Sequence, residues 1–581
     1  MMTRYFEVLR RDGPARQGKL LLERQISTPA LITNDDWVSA GSVYRYASLQ
    51  EAAAAAMSLK GQKKLAIAPY VPADLHSEPA LRLPPPEIDG PKGLVVHPFS
   101  LEKPEDADVY VLASAGVLRN PRDLVQAVVG VRNMTPPDTA LYAPALASPA
   151  NLALLVYLGI DLLDFTRVVA DGYLGRYHTR DGIWKLGDLN ELPCRCVHCQ
   201  RLAENREDRK LLAAHNHLKL EEELLTVREM IRSETIREYI ERQVRVEPNL
   251  TAALRLLDQE HCYLEKRTPQ HRRSIFFANT AESLQRVEVT RFAERVLYRY
   301  KAPPSDVLLL LPCSARKPYS TSRSHRLFAE AVRPWHRHLH ELILTSPLAL
   351  VPRELEEVYP AASYDVPVTG RWDLEERAWL RSCLEAYLKR NKYARIVAHL
   401  EGELEETVRA LGLEAVYTGG GTNREALARL SAAVREACLG AMRLPDLRLQ
   451  RYRALADYYF GADASNALLA GKVQVRGREL QDEKKRPLAA TTPNGTLALS
   501  LEGAKRLEPL GRYIVTIGDF LPKGSLLAPG VMDADEQIRP GDEVIVQGER
   551  AFGLGRAKMS GWEMAASRRG VAVELRHVKE V

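Results

Sequence analysis

Leu192-Pro193-Cys194-Arg195-Cys196-Val197-His198-Cys199 places three thiols in one short run, and His215 and His217 follow on the next charged segment. Three cysteines and one histidine make a common closed, tetrahedral Zn2+ site. The spacing points to a structural zinc in a reduced compartment rather than to buried thiols. On spacing alone His198, His215 and His217 all qualify as the fourth ligand. Seven cysteines in this length do not make a disulfide scaffold. Cys262, Cys383 and Cys438 are read as small buried hydrophobes.

Outward from this run the pattern is α/β. Upstream, Leu94–Phe99, Ala107–Ser114 and Leu141–Leu146 read as buried strands and Asn151–Leu158 as a helix, which argues for a parallel core. Downstream, Arg209–Leu257 is charged and helical. A second α/β block is led by the strongly apolar strand Asp306–Leu311, with weaker strands at Leu342–Thr345 and Ala394–His399 and a helix at Trp372–Lys389. Gln481–Gly495 reads as a loop, and the Gly-rich Tyr417–Thr422 as a tight turn. From Gly511 short alternating strands between turn-rich segments predict a small β-barrel.

The length, 581 residues, exceeds a single core, so several domains are expected. With 45% hydrophobic and 27% charged residues, the composition is that of a globular protein. No apolar run is long enough for a bilayer and no signal-peptide core opens the chain, so a cytoplasmic protein without a membrane partner is expected. The net charge of +6 fits a nucleic-acid partner without requiring one.

The run Gly159–Gly182, then Cys194–Cys199, then Leu211–Leu218 resembles archaeal tRNA-guanine transglycosylases, as do Phe6–Leu20 and Ile26–Ile32. That family carries a Gly-Val-Asp-Leu-Phe-Asp segment, a Cys-x-Cys-x-x-Cys motif and a His-Asn pair in this order. The resemblance implies a (β/α)8 barrel bearing the zinc site, with Cys194, Cys196, Cys199 and His215 as its ligands. It places Asp164 at the family's nucleophile, but Ala113 stands where the second aspartate should open an Asp-Ser-Gly segment. Alanine neither accepts a proton nor bonds a base edge, and base exchange needs both carboxylates. The barrel is therefore read as a degenerate scaffold that docks RNA, with Asp164 either structural or catalytic.

Chemistry is expected instead at Pro312-Cys313-Ser314-Ala315-Arg316-Lys317-Pro318-Tyr319-Ser320-Thr321-Ser322-Arg323-Ser324-His325. A polar loop at the C-terminal end of a buried parallel strand is where open α/β sheets hold ligands. The plain alternative is a Pro-rich turn into a helix capped by Ser322 or Ser324. The pattern Pro312-Cys313, Lys317-Pro318-Tyr319, Ser322 and His325 is similar to the signature of archaeosine synthases, transglycosylase paralogues with a degenerate barrel. That resemblance implies addition of an amine, in the family free lysine, to the nitrile of 7-cyano-7-deazaguanine in the tRNA dihydrouridine arm. A radical-SAM partner then cleaves the adduct. Cys313, Lys317, Tyr319, Ser322 and His325 are the catalytic candidates, with Pro312, Ser314, Arg316 and Pro318 lining the substrate. Cys313 either attacks the nitrile or lines the pocket. His325 or Tyr319 supplies a proton. Lys317 and Arg316 lower the thiol pKa or bind the donor's carboxylate.

Gly511–Val581 resembles a PUA domain, with Lys523, Arg556, Lys558, Arg568 and Arg569 as candidate phosphate contacts. The expected organisation is a zinc-bearing barrel over 1–272, a catalytic α/β domain over 273–442, a small α+β linker domain over 443–510 and the PUA β-barrel over 511–581. A homodimer is expected. The rival readings are a guanine transglycosylase on tRNA or DNA and a non-catalytic RNA-binding protein.

Overall fold

The computed structural model describes residues 5–59, 63–71, 90–99, 103–367 and 371–581. The chain forms two compact units: one built on the sequence up to Pro269 with Leu527–Gly530 and Trp562–Ala572, the other on the remainder.

In the first unit an antiparallel sheet of β1 (Phe6–Asp12), β2 (Ala15–Leu21) and β3 (Gln25–Thr28) precedes a curled parallel sheet. The latter consists of β4 (Ala30–Leu31), β5 (Trp37–Ser39), β6 (Leu65–Ile67), β7 (Lys92–Val96), β8 (Val109–Leu112), β9 (Ala140–Tyr142) and β10 (Leu162–Leu163), in the order β4-β10-β9-β8-β7-β6-β5. Strands and helices alternate as expected, and seven strands pair in an open half-barrel among the described residues. Phe6, Leu20 and Ile26 pack against Leu65, Ile67, Val109 and Val111, so the antiparallel sheet shields the parallel core from water. Asp161 accepts bidentately from Arg16 at 2.8 and 2.9 Å, also binds Arg132, and takes the Leu141 N–H at 2.8 Å. Burial opposes ionisation of Asp161, yet the two guanidiniums hold its carboxyl below the usual carboxylate range.

The segment expected as one long helical stretch is three helices, Arg209–Arg232, Ile236–Gln243 and Pro248–Gln259. The first break falls at Glu234, whose φ of 60° no helix continues. A hairpin, β11 (Arg176–Thr179) with β12 (Gly182–Lys185), lies against the first of them.

The second unit holds a five-stranded sheet in the order β16-β15-β14-β18-β19. Its strands are β14 (Val307–Pro312), β15 (Leu339–Thr345), β16 (Ala349–Pro352), β18 (Arg395–Ala398) and β19 (Val416–Tyr417); β13 (Phe276–Phe277) and β17 (Tyr364–Asp365) form a separate pair. Central β14 is buried throughout Val307–Leu311 and runs parallel to both β15 and β18. The chain leaves β14 toward β15 and returns on the other side to β18, so the strand order reverses beside the end of β14.

Gln481–Gly495 is not the loop expected. Glu479–Asp482 pairs with Pro487–Thr491 and the latter with Leu497–Leu499, leaving turns at the charged residues 483–486 and at 492–496. Leu480, Leu488 and Ala489 are buried, and their burial overrides the polar composition. The last six strands form one sheet from Ile514 to Glu580, with the short strand Ser525–Leu527 inside a segment read as turns. No helix among the described residues is long and apolar enough to cross a membrane.

Candidate functional site

The metal-site residues converge. One ligand atom from each of Cys194, Cys196, Cys199 and His215 lies within 4.8 Å of the others. His215 Nδ1 is 3.1 Å from Cys199 Sγ and 3.6 Å from Cys196 Sγ, while its Nε2–H donates to the His178 carbonyl at 2.9 Å. That backbone bond fixes the tautomer that turns Nδ1 to the sulfurs, as metal-ligating histidines require. Burial pushes His215 down to about 4, which keeps it neutral for ligation. Asn216 supports the arrangement, accepting from the His178 N–H and donating to the Val168 and Arg176 carbonyls. His217 instead stacks on Phe165 at 3.7 Å, so it is not the fourth ligand of this cluster. Burial pushes the Cys199 thiol up to about 12, a penalty that a bound cation offsets. The residues thus fit a Cys3His metal ion.

Asp164 is buried, and three donors converge on its carboxylate. It accepts from the Tyr142 hydroxyl at 2.7 Å, the Ala145 N–H at 3.0 Å and the Thr166 N–H at 2.8 Å. The Ala145 bond anchors a residue with φ of 56°. Ala113 is buried beyond the end of β8, with no functional group to offer.

In the second unit Cys313 follows the last residue of β14, its N–H bonded to the Leu344 carbonyl at 3.1 Å. Its side chain is open to solvent on one side. The protein around its other sides still disfavours the thiolate, and burial pushes the thiol up. A hydrogen bond from Thr345 and the charge of Lys317 pull it back in part. Lys317 places Nζ 4.0 Å from the centre of the Tyr364 ring, and desolvation weakens its ammonium despite Cys313 and Asp365. Tyr319 is fully buried, with its hydroxyl 2.5 Å from that of Tyr364.

Ser322 does what the plain reading assigned to it. It is the N-cap of Arg323–Val332 and accepts the His325 N–H at 3.2 Å. His325 is buried with both ring nitrogens engaged: Nε2 donates to the Pro312 carbonyl at 3.0 Å, and Nδ1 accepts from Arg353 at 2.9 Å. Burial and then the Arg353 guanidinium push His325 down to about 3. A neutral ring with its one proton held by a carbonyl has no proton to give at neutral pH. Arg353 also binds Glu341 at 2.7 Å and Glu356 at 2.8 Å, and Glu356 takes the Ser320 N–H at 2.9 Å. In the loop, Ser314 Oγ donates to the Arg316 carbonyl at 3.0 Å and Thr321 donates to the Pro318 carbonyl at 2.7 Å. The Arg316 side chain is exposed.

Across the switch point, His399 at the end of β18 pairs with Thr418 Oγ1 at 2.7 Å and with the Gly421 carbonyl at 2.8 Å. It pins the turn Gly419-Gly420-Gly421, where all three φ are positive. Thr345, Arg353, Tyr364 and His399 were not singled out from the sequence. Thr345 closes β15 and Tyr364 opens β17, and polarity at a strand terminus was the signal available.

Of the remaining cysteines, Cys383 and Cys438 are buried as expected, but Cys262 is exposed on the helix His261–Arg267. Lys523, Arg556, Lys558 and Arg568 are exposed and Arg569 half-buried. Lys558 is paired with Glu574 at 2.7 Å and Arg568 with Asp106 at 3.9 Å.

Four family models match the chain. Queuine tRNA-ribosyltransferase covers residues 100–249, a domain of unknown function 289–434, the patch-forming domain C2 of tRNA-guanine transglycosylase 450–512, and the PUA domain 517–579. The chain is 42% identical over 628 residues to the archaeosine synthase subunit alpha of Methanosarcina acetivorans, covering all of both chains. It is 40% identical over 603 residues to the archaeosine synthase of Haloferax volcanii, again covering all of both. A tRNA-guanine(15) transglycosylase of Methanobrevibacter smithii is 27% identical over 503 residues, 81% of this chain and 72% of that one. With relatives matched from end to end and an intact Cys313–His325 signature, the chain belongs to the archaeosine synthase family.

Proposed function

We propose that this chain adds an amine to the nitrile of 7-cyano-7-deazaguanine carried in the dihydrouridine arm of tRNA, giving an amidine, and that the reaction takes place at Cys313. The observation that carries this reading is the thiol and the amine, Cys313 and Lys317, set together at the carboxyl end of the central strand beside the reversal of strand order. The Cys313 sulfur adds to the nitrile carbon, forming a C–S bond, and the proton it loses ends on the nitrile nitrogen as a thioimidate forms. Lys317, its ammonium weakened by desolvation, carries that proton. The donor amine then attacks the same carbon, the C–S bond breaks, and the thiol is regenerated with the amine's proton.

In this reading His325 and Ser322 are positioning residues. His325 holds the Pro312 carbonyl next to the nucleophile, and Ser322 caps the helix that carries the imidazole. Tyr319 is buried beneath the site. Ser314, Pro318 and the exposed Arg316 shape the loop, with Arg316 available to the carboxylate of a donor such as free lysine. A radical-SAM protein consumes the adduct, and the chain works as a homodimer. The first module, over 1–272, is a degenerate (β/α)8 barrel whose metal is a structural Zn2+. The α/β domain (273–442) does the chemistry, the module over 443–510 links it to the PUA domain (511–581), and Lys523, Arg556, Lys558, Arg568 and Arg569 meet phosphates. The tied carboxylate of Asp164 and the methyl of Ala113 disfavour base exchange.

The test is mass spectrometry of nucleosides from cyano-deazaguanine tRNA incubated with this protein and candidate amines. A mass increase matching the added amine is expected, and Cys313→Ala abolishes it. Incorporation of labelled guanine instead of an amine would replace this reading with the transglycosylase one.

A further inference from the structure

Three hydroxyls lie in contact beneath the Cys313 thiol. The Tyr319 hydroxyl is 2.5 Å from that of Tyr364, Tyr364 meets Thr345 Oγ1, and the Thr345 side chain is hydrogen-bonded to Cys313. Tyr319, Thr345 and Tyr364 are all buried. Each hydroxyl carries one proton and can accept from a neighbour. One arrangement sends every hydroxyl proton toward sulfur: Tyr319 donates to Tyr364, Tyr364 to Thr345, and Thr345 to Cys313, with the Ser346 carbonyl, 3.2 Å from Thr345 Oγ1, as the competing acceptor.

We propose that Tyr364 is a positioning residue that steadies the Cys313 thiolate through this one-way hydroxyl chain while its ring face holds the Lys317 ammonium alongside. Donors in series polarise one another, and a hydrogen bond to the charged form of an acid favours that form. The cation–π contact, with Nζ 4.0 Å from the ring centre, stabilises the Lys317 charge where water is reduced. One side chain therefore serves both members of the thiol–amine pair. The inference extends the reading of Cys313 as the nucleophile, but its test does not depend on that reading.

The experiment follows alkylation of Cys313 by iodoacetamide in the full-length protein across pH, quantified on the Cys313 peptide by mass spectrometry. This isolates it from the exposed Cys262. Tyr364→Phe keeps the ring and cuts the chain, and Thr345→Val removes the last donor. Both variants are expected to move the alkylation midpoint upward by about one pH unit, roughly a tenfold slower reaction at a fixed pH below it. Melting curves verify that each variant is folded. Profiles of Tyr364→Phe and Thr345→Val that superimpose on the parent's overturn the proposal. Should the midpoint shift while Cys313→Ala still forms amidine, the hydroxyl chain stands and the assignment of the nucleophile falls.

Discussion

Replacing Asp164 by alanine tests whether the barrel has become a scaffold. The carboxylate accepts three hydrogen bonds, from the Tyr142 hydroxyl at 2.7 Å and the amides of Thr166 and Ala145 at 2.8 and 3.0 Å, in a buried position. A hydrogen bond to a charged group is worth about 1.5–3 kcal/mol, and a donor left bare costs a similar amount. The three share one acceptor and do not add fully, and a water entering the vacated space restores part of the loss. The net cost is therefore about 3–5 kcal/mol, a large share of the roughly 5–15 kcal/mol that holds a domain together. Amide hydrogen exchange is the direct assay. Ala145 and Thr166 are expected to lose protection, and the barrel to unfold at lower denaturant, while turnover in amidine formation is unchanged wherever the variant is folded. Asp164→Asn, which keeps one carbonyl oxygen, should fall between the two. A folded Asp164→Ala protein with undiminished stability but no catalysis would refute the reasoning, because it would put the carboxylate in the chemistry.

Two further outcomes follow from the same structure. The purified protein should carry one metal ion per chain, lost in Cys199→Ser and kept in Cys313→Ala, as read by elemental analysis; full occupancy in the Cys199 variant excludes the Cys3His cluster as the site. His325 sits at about 3 when folded, whereas an unfolded imidazole titrates near 6.5. Below about 6.5 the unfolded chain takes up a proton that the folded one refuses, so stability is present above that pH and falls by about 1.4 kcal/mol per unit as the pH drops toward 3. His325→Gln should flatten this slope in denaturation curves at pH 4–6, and an unchanged slope means that the imidazole is not held neutral.

Local chemistry made much of this protein legible in its sequence. Three thiols in one run point to a cation site, and the apolar run Val307–Leu311 reads as a buried strand. Motif spacing likewise placed Cys313 and Lys317 in one loop and offered Ser322 as the helix cap, because turn and cap geometry are settled within a few residues. Partners distant in sequence were beyond its reach. The sequence left His325 or Tyr319 as the proton donor. Folding brought Arg353 to one nitrogen of His325 and the Pro312 carbonyl to the other, and placed Tyr364 over Lys317. Likewise Gln481–Gly495 has a loop's composition but folds as a hairpin, since burial of Leu480 against Ala489 outweighs polarity. The amino acids supplied the reactive groups. Their protonation and orientation depend on desolvation and on hydrogen bonds across the fold, among them the three that hold the Asp164 carboxylate, which exist only once the chain has packed.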